Sequence, residues 1–352
     1  MHPFIMGLDV GYGNTKAVYA SGGGPEHNLV LPSVAHEILD LQHYQDMAAT
    51  GKTDQVLIEI DDRHFVVGPS AAVFGRTLHD NYILTPQYRA LVAGALHGAF
   101  AELGDATETV EAMVVGLPVY AFSRLKDPLR EQMLKPFVVP LPAALRGRFG
   151  AASLTVRIRS VRVMPQPVGA VTDWRSRMTA PIGAQDIVTV CDPGYKTFDW
   201  FSMRGSVVVP ELSGAFDGGV SELLKDVSVA ITRKHPNALL DIQTIEDGLE
   251  RKTLSLVGVG RVEFEPFRPI IGQGARVIVR RMADMLQRAQ QEKKTRIDHL
   301  VLAGGGATYF EASVREVFAD FPLTILPRPV LSNARGFWLM ANRMVDTAQR
   351  AA

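Results

Sequence analysis

The strongest constraint on how this chain can fold is a local pattern that occurs twice. The first copy is Asp9-Val10-Gly11-Tyr12-Gly13-Asn14-Thr15-Lys16, after the apolar segment 4–8. The second copy is Asp192-Pro193-Gly194-Tyr195-Lys196-Thr197-Phe198-Asp199, after the apolar segment 187–191. In each copy a short apolar strand ends in a carboxylate, a glycine follows two residues later, and another strand-like run begins. Two such copies, about half a chain apart, predict an internal duplication with one β-hairpin in each half.

The chemistry of these predicted hairpins favours phosphate. A tight turn with glycine exposes backbone N–H groups in a concave surface that attracts anions. A carboxylate beside that surface would repel phosphate unless a cation lies between them, so Asp9 and Asp192 predict a magnesium ion held through water. A single Asp-x-Gly hairpin is usually only a turn, because these residues favour turns for local reasons. It is the duplication that predicts two phosphate hairpins on one nucleotide.

Composition narrows the class of protein. The 352 residues are 47% hydrophobic, which is enough for two domains with a core each. Lysine plus arginine and aspartate plus glutamate both number 37, so no basic field attracts the chain to nucleic acid or anionic lipid. The single cysteine, Cys191, excludes an internal disulfide and indicates a reducing compartment. Since we find no signal-peptide pattern and no run of about 20 apolar residues, we expect a soluble cytoplasmic protein without a membrane segment.

Strand and helix patterns alternate along the chain, which predicts an α/β fold. After the first hairpin, the predicted strands are 28–33, 56–60, 63–68, 112–119, 154–163, 206–210 and 299–303. The predicted helices are 86–103, 122–135, 220–232, 274–294 and 333–350. We expect residues 1–168 and 325–352 to form domain I and residues 169–324 to form domain II.

A third glycine cluster, Gly304-Gly305-Gly306-Ala307, follows the apolar strand 299–303. A glycine run between a strand and a helix lets a planar base or a ribose lie against bare backbone, where a Cβ would collide. Alone, the cluster fits a plain strand-to-helix turn equally well. With two phosphate hairpins upstream, it predicts contact with the nucleoside.

The order of these motifs resembles that of the actin, sugar kinase and DnaK-type chaperone superfamily. The first hairpin is followed by Gly-Leu-Pro at 116–118, Gln-Pro-x-Gly-Ala at 166–170, the second hairpin, and Ala-Gly-Gly-Gly-Ala at 303–307. Within that superfamily the chain resembles the bacterial and archaeal actin-like proteins, especially the ParM/StbA plasmid-segregation group and a plasmid-borne subgroup of PRTRC gene clusters. The resemblance implies an actin-like α/β fold, in which two ribonuclease H-like domains flank a nucleotide cleft.

Carried over position by position, the resemblance assigns a role to each site residue. Asp9 and Asp192 would hold the water shell of Mg²⁺, and Gln166 would orient the attacking water, because a glutamine cannot take a proton at neutral pH. These three are the predicted catalytic residues. The predicted phosphate-binding residues are Gly11, Gly13, Asn14, Thr15 and Lys16 on one side and Gly194, Tyr195, Lys196 and Thr197 on the other. The predicted adenosine contacts are Gly304, Gly305, Gly306 and Ala307.

The resemblance implies a slow ATPase that polymerises and segregates plasmid DNA. Its partners would be other copies of itself and a DNA-binding adaptor on a plasmid centromere, without direct contact to nucleic acid or membrane. ATP and GTP are both open as the nucleotide, because the base is held largely by shape and backbone. A small-molecule kinase for a sugar or acid is an alternative, with Asp199 as the nearest candidate for its catalytic carboxylate. A cell-division or cytoskeletal scaffold is another.

Overall fold

A computed structural model of the chain describes residues 3–42, 44, 54–75, 82–179, 182–205 and 207–351. Packing divides the chain into two compact units. The first runs up to Ser176 and also takes in the chain from Leu331 onward, and the second is Arg177–Val330. The domain boundaries expected near residues 168 and 325 stay a prediction. Within the described ranges, no helix is long and apolar enough to span a membrane.

The strands and helices are numbered along the chain. The strands up to residue 165 are β1 (Phe4–Val10), β2 (Asn14–Ser21), β3 (His27–Pro32), β4 (His36–Ile38), β5 (Val56–Ile60), β6 (Arg63–Val67), β7 (Thr109–Val110), β8 (Ala112–Leu117), β9 (Phe137–Pro140), β10 (Ser153–Ile158) and β11 (Val161–Pro165). The helices among and just after them are α1 (Pro86–Leu103), α2 (Val119–Leu134), α3 (Ala143–Phe149) and α4 (Gln166–Arg177).

The second unit continues this numbering. Its strands are β12 (Ile187–Pro193), β13 (Thr197–Arg204), β14 (Val207–Val208), β15 (Gly214–Asp217), β16 (Thr253–Leu256), β17 (Gly260–Glu263), β18 (His299–Leu302) and β19 (Leu323–Ile325). Its helices are α5 (Val220–Lys234), α6 (Ile242–Arg251), α7 (Arg268–Lys293) and α8 (Ala307–Val317), and the chain then returns to the first unit with α9 (Ser332–Ala351).

The largest sheets of the two units share one plan. In the first unit the strand order is β11-β8-β1-β2-β3, and in the second it is β14-β13-β12-β18-β19 with β15 also beside β13. In each sheet an antiparallel hairpin, β1–β2 or β12–β13, lies next to two parallel strands. Smaller sheets are β7-β10-β9, β4-β6-β5 and β16-β17. The predicted α/β class and the predicted duplication are therefore confirmed.

Strand β1 is buried along its whole length, because packed layers cover both faces of its sheet. Its even-numbered residues belong to the main core of the first unit, together with residues of α1. Ile5, on the alternate face, packs with Phe337 and Ala341 of α9. The two-residue period of the strand thus assigns one face to α1 and the other to α9.

Helix α9 crosses β1 and α4 with the backbones in direct contact. A Cβ at Gly336 would lie 1.8 Å from the carbonyl oxygen of Gly169, and a Cβ at Gly7 would lie 2.2 Å from the α9 backbone. Beside this crossing, the Oδ1 of Asn333 accepts a hydrogen bond from the N–H of Ala170 at 3.2 Å. Because glycine has no side chain, α9 can lie directly on both β1 and α4 at these positions. This close packing fixes where α4 begins relative to β1.

The helix predicted at 86–103 is confirmed at both ends. The side chain of Thr85 accepts a hydrogen bond from the N–H of Tyr88, and Pro86 occupies the first turn, where a missing N–H costs nothing. Gly104 ends the helix in a left-handed conformation with φ of 62°.

Other predicted elements differ at their ends. Helix α7 begins at Arg268, before the predicted start, because Pro269 is tolerated in a first helical turn. Of the predicted strand 206–210, only Val207–Val208 pairs with a neighbouring strand. Ser206, the first residue of that prediction, lies outside the described residues.

Candidate functional site

The alternation along β1 brings Asp9 to the face of the sheet that α9 covers. Ile5 and Gly7 lie on this face, and Asp9 follows them with the same period. Asp9 is 1% exposed, and its cross-strand partner on β2 is Lys16. A carboxylate as buried as this one requires partners, because an unpaired buried charge is costly.

Two donors satisfy the Asp9 carboxylate. The Nζ of Lys16 lies 3.1 Å from Oδ2 in an ion pair, and the Nε2 of Gln166 donates to Oδ1 at 2.7 Å. We call these three residues the Asp9 cluster. Gln166 is the first residue of α4, so the crossing of α9 over α4 also fixes its position. The structure thus brings together a predicted metal-binding carboxylate, a predicted phosphate-binding lysine and the predicted water-orienting glutamine.

Gly116, near the end of β8, makes room for this contact. A Cβ there would lie 2.9 Å from the Cγ of Gln166 and 2.7 Å from the Cε2 of Phe337. Because β8 pairs in parallel with β11, its last residue Leu117 lies opposite Pro165, directly before Gln166. A larger residue at position 116 would push the glutamine away from Asp9.

The turn of the first hairpin is closed by backbone hydrogen bonds. The N–H of Gly11 donates to the carbonyl oxygen of Asn14 at 3.1 Å, and the N–H of Ser33 donates to the carbonyl oxygen of Gly13 at 3.0 Å. Thr15 points to the opposite face from the Asp9 cluster, and its buried hydroxyl lies 3.0 Å from that of Ser33. Phosphate binding by this turn stays a prediction. Because the Thr15 side chain is buried on the other face, the prediction for Thr15 applies to its backbone N–H.

Two tyrosines contact Tyr12 of the same turn, one through its ring and the other through its hydroxyl. The ring of Tyr12 packs against that of Tyr82 with centroids 5.3 Å apart, and its hydroxyl lies 2.9 Å from the hydroxyl of Tyr120. The buried hydroxyl of Tyr82 donates to the carbonyl oxygen of Val10 at 2.7 Å. Burial raises the pKa of Tyr82 well above its ordinary value, so this hydroxyl remains a neutral donor.

The second hairpin repeats the backbone geometry of the first. The N–H of Gly194 donates to the carbonyl oxygen of Thr197 at 2.8 Å, as Gly11 does to Asn14. Asp192 pairs across the hairpin with Asp199, as Asp9 does with Lys16. The sequence repeat therefore corresponds to a structural repeat.

The two hairpins differ in the charge opposite the first aspartate. Where the first hairpin has Lys16, the second has Asp199, whose Oδ2 accepts a hydrogen bond from the hydroxyl of Thr197 at 2.5 Å. Burial raises the pKa of Asp199 to about 7; the Thr197 hydrogen bond lowers it and the negative charge of Asp192 raises it. A cation near Asp192 would relieve this like-charge pair.

We expect Asp199→Asn to stabilise the protein at alkaline pH in the absence of nucleotide and metal. The pKa of Asp199 is higher in the folded state than in an unfolded chain, so this group lowers the free energy of unfolding as pH rises from about 4 to about 7. The variant lacks this loss, and its melting temperature should exceed that of the wild type by about 2 °C or more at pH 8. The gain should vanish near pH 4; a gain that is equal at both pH values would contradict the assigned cause.

The glycine cluster packs against the base of the second hairpin. Gly304 has a φ of 87°, and a Cβ there would lie 2.1 Å from the Oδ1 of Asp192. The N–H of Gly306 donates to the carbonyl oxygen of Pro193 at 2.8 Å, and a Cβ on Gly306 would lie 2.9 Å from that oxygen. Packing against the hairpin therefore requires glycine at these two positions. The sequence had indicated a different reason, namely room for the nucleoside.

The remaining two positions of the cluster differ in exposure. Gly305 is exposed, and the nearest heavy atom to a Cβ built on it is a Val330 methyl at 3.8 Å. Ala307, at the start of α8, is 2% exposed and lies in the core of the second unit. Adenosine contact at the cluster stays a prediction, and Gly305 offers the most accessible backbone for it.

The beginning of α5 holds the second turn. The N–H of Val220 donates to the carbonyl oxygen of Gly194 at 3.1 Å, and the N–H of Ser221 donates to that of Tyr195 at 2.8 Å. The carbonyl oxygen of Lys196, the next turn residue, accepts from the N–H directly before α5 at 2.9 Å. The first N–H groups of a helix have no partner within the helix. Here they donate to carbonyl oxygens of the turn and so hold it in place.

Each hairpin offers one carboxylate of the kind that a hydrated magnesium ion uses. In the part of the chain that the structure describes, no three His, Cys, Asp or Glu side chains converge to hold a metal alone. Mg²⁺ commonly keeps several waters and is bound through one or two carboxylates and substrate phosphates. Asp9 and Asp192, each at a strand end beside a glycine turn, offer such carboxylates.

The sequence patterns assigned no role in the site to several residues that the structure places there. A glycine within an apolar strand indicates a close approach, and this signal could have identified Gly116. Ser33, Tyr82 and Tyr120 contact the first hairpin from distant parts of the chain, and no local pattern predicts those contacts.

Two protein-family models match the chain and together cover most of it. The model described as the N-terminal domain of actin-like proteins matches residues 7–169. The model described as the C-terminal domain of the MreB-like archaeal actin homologue matches residues 190–316. No curated protein sequence matches the chain significantly.

Solved structures resemble the chain over nearly its whole length. Native Ta0583, an archaeal actin homologue, superposes with a TM-score of 0.74 at 19% identity, covering 96% of this chain and 99% of that one. A 15-stranded ParM filament from Clostridium botulinum gives 0.71 at 16% identity, with 97% and 100% covered. Bacillus thuringiensis ParM with ATP gives 0.66 at 15% identity, with 97% and 99% covered. Likeness at these identities establishes a shared fold.

Proposed function

Because the chain belongs to the actin-like proteins and has their two-domain α/β fold, we propose that it binds ATP with magnesium, hydrolyses it slowly and assembles into filaments. The observation that carries this proposal is the repeated hairpin. Each copy has a strand-end carboxylate, a glycine turn and the same closing hydrogen bond. One such hairpin is an ordinary turn, whereas one in each unit supports a common ligand.

At the first hairpin, the Asp9 cluster would supply positive charge to the phosphates and would orient the attacking water. Lys16 would add a positive charge to the phosphates, and its ion pair with Asp9 keeps it directed at this turn. Gln166 donates through Nε2 to Asp9, which leaves the amide oxygen to accept a hydrogen bond from the attacking water. A group that orients water without removing its proton gives slow hydrolysis, as the proposal requires.

The second hairpin and the glycine cluster would bind the rest of the nucleotide. The proposed phosphate contacts are Gly194, Tyr195, Lys196 and Thr197, and the proposed adenosine contacts are Gly304, Gly305, Gly306 and Ala307. Asp192 would share the metal's water shell with Asp9. The ion would supply neutralisation of charge on the phosphates during bond cleavage.

The solved relatives support self-association and nucleotide binding. One of the similar structures is a ParM filament and another is a ParM with ATP. We therefore propose that this chain polymerises and segregates plasmid DNA through an adaptor, as the ParM/StbA resemblance implies. The equal numbers of basic and acidic residues, 37 each, favour an adaptor over direct DNA binding. A single buried thiol, Cys191, suits the cytoplasm as the place of action.

Sedimentation with different nucleotides tests this function most directly. We expect the purified protein to pellet with ATP or a non-hydrolysable ATP analogue and magnesium, and to remain in the supernatant with ADP or with ATP plus chelator. Parallel samples with GTP determine the nucleotide preference. Phosphate transferred to a sugar or acid without any pellet would instead support the kinase alternative. Pelleting that does not depend on the nucleotide would support the alternative of a cell-division or cytoskeletal scaffold.

We expect Gln166→Ala to slow ATP hydrolysis by roughly tenfold to a hundredfold, because water would lose the group that orients it. Polymer should form normally and persist longer, as measured by light scattering after a pulse of ATP. Gln185→Ala, at an exposed glutamine before β12, is the matched control and should leave both rates unchanged. Unaltered hydrolysis in the Gln166 variant would exclude its assigned role.

A further inference from the structure

The two hairpin turns are held by different means. Carbonyl oxygens of the second turn accept hydrogen bonds from the backbone at the start of α5. The first turn contains Gly11 and Gly13, and glycine has more backbone freedom than any other residue. Its Gly13 carbonyl accepts from Ser33, and the side chain of Tyr12 provides a further anchor on the turn. The Tyr12 side chain therefore helps to hold the first turn, as the start of α5 holds the second turn.

Two contacts anchor the Tyr12 side chain within the first unit. Its ring packs on the buried Tyr82, which itself donates a hydrogen bond to the carbonyl of Val10 at the end of β1. Its hydroxyl meets that of Tyr120, the second residue of α2, at 2.9 Å. Helix α2 follows the segment that contains Gly116, which makes room for Gln166. The hydroxyl pair therefore ties the predicted phosphate turn to the segment beside the predicted water-orienting residue.

We propose that the Tyr12–Tyr120 hydroxyl pair positions the first hairpin turn for nucleotide binding, an inference that rests on the function proposed above. Tyr12 is a positioning residue in this account, because it acts through the backbone of Gly11, Gly13 and Asn14. With the pair broken, the turn samples more conformations, and binding must order it at the cost of affinity. Chemistry after binding is unaffected, because the Asp9 cluster does not include either hydroxyl.

Phenylalanine variants test the pair while keeping the ring contacts. We expect Tyr12→Phe and Tyr120→Phe each to weaken Mg-ATP binding by about threefold to tenfold, as for the loss of one hydrogen bond. The double variant should bind no more weakly than either single variant, because both remove the same interaction. The KM for ATP should rise by the same factor, with kcat unchanged. Additive losses, or singles that bind like the wild type, would overturn the proposal.

Tyr88→Phe provides the matched control. Tyr88 lies 5.8 Å from Tyr82 between ring centroids, and its buried hydroxyl has no hydrogen-bond partner among the described residues. Removing that hydroxyl should leave the affinity for Mg-ATP as in the wild type. An affinity loss equal to that of Tyr12→Phe would show that the cluster acts only through general packing, and would overturn the proposal.

Hydrogen exchange separates this inference from the proposed function. In nucleotide-free protein, the amides of the first turn should exchange faster in Tyr12→Phe and Tyr120→Phe than in the wild type or Tyr88→Phe. If the wild type binds no Mg-ATP, the proposed function fails, and the exchange rates still decide whether the pair holds the turn. Unchanged exchange in both variants would overturn the positioning role.

Discussion

Gly336→Ala is expected to destabilise the first unit by about 3 kcal/mol or more. The new Cβ would lie 1.8 Å from the carbonyl oxygen of Gly169, so α9 and α4 would have to move apart. The hydrogen bond between Asn333 and Ala170 lies beside this contact and would be lost with it. Because Gln166 is the first residue of α4, its contact with Asp9 should loosen too. Thermal unfolding followed by circular dichroism measures the stability, and an ATPase assay on the folded fraction measures the second effect.

Gly272→Ala is the control for this substitution. Gly272 lies within α7, and a Cβ built on it meets no atom from outside the neighbouring helix backbone within 4 Å. Alanine should there stabilise the protein by up to about 1 kcal/mol, because it restricts the unfolded chain and favours helix. If both variants melt like the wild type, the two helices do not cross as closely as described.

Asp9→Asn is expected to lower magnesium-dependent ATP binding and hydrolysis by about a hundredfold or more. The substitution keeps the shape of the side chain and removes its charge. Lys16, whose side chain is 12% exposed, would lose its ion-pair partner, and the metal's water shell would lose an anionic acceptor. Calorimetric titration and phosphate release measure the two effects.

The control for this variant is Asp62→Asn, at the exposed turn between β5 and β6. Asp62 has a φ of 60°, a conformation that asparagine tolerates equally well. This variant should bind and hydrolyse ATP like the wild type. Wild-type activity in Asp9→Asn would remove Asp9 from the proposed site, whereas losses in both variants would indicate a general effect of charge.

Local patterns predicted the elements whose signals are contained within a few residues. The α1 prediction holds at both ends because Thr85, Pro86 and Gly104 each determine the backbone conformation nearby. The strands of both hairpins were predictable because every residue of β1 is buried and the pattern repeats in β12. The start of α7 was not predictable in this way, because a proline such as Pro269 can either end a helix or occupy its first turn.

The candidate site was predictable as a set of residues and only partly as a set of contacts. The repeat identified Asp9 and Asp192, and the resemblance identified Gln166. The hydrogen bond from Gln166 to Asp9 depends on the missing side chain of Gly116 and on the crossing of two helices, which no local pattern encodes. The same limit applies to Gly304, whose bare backbone is required by a residue from another strand, Asp192.

Calorimetric titration of ATP with and without magnesium into wild type, Asp9→Asn and Asp192→Asn tests most directly whether both hairpins bind one metal-bound nucleotide. A metal held by one carboxylate from each hairpin predicts one nucleotide per chain, binding that depends on magnesium, and a similar loss of that dependence in both variants. Magnesium-independent binding in the wild type, or an Asp192→Asn variant that binds Mg-ATP normally, would contradict it.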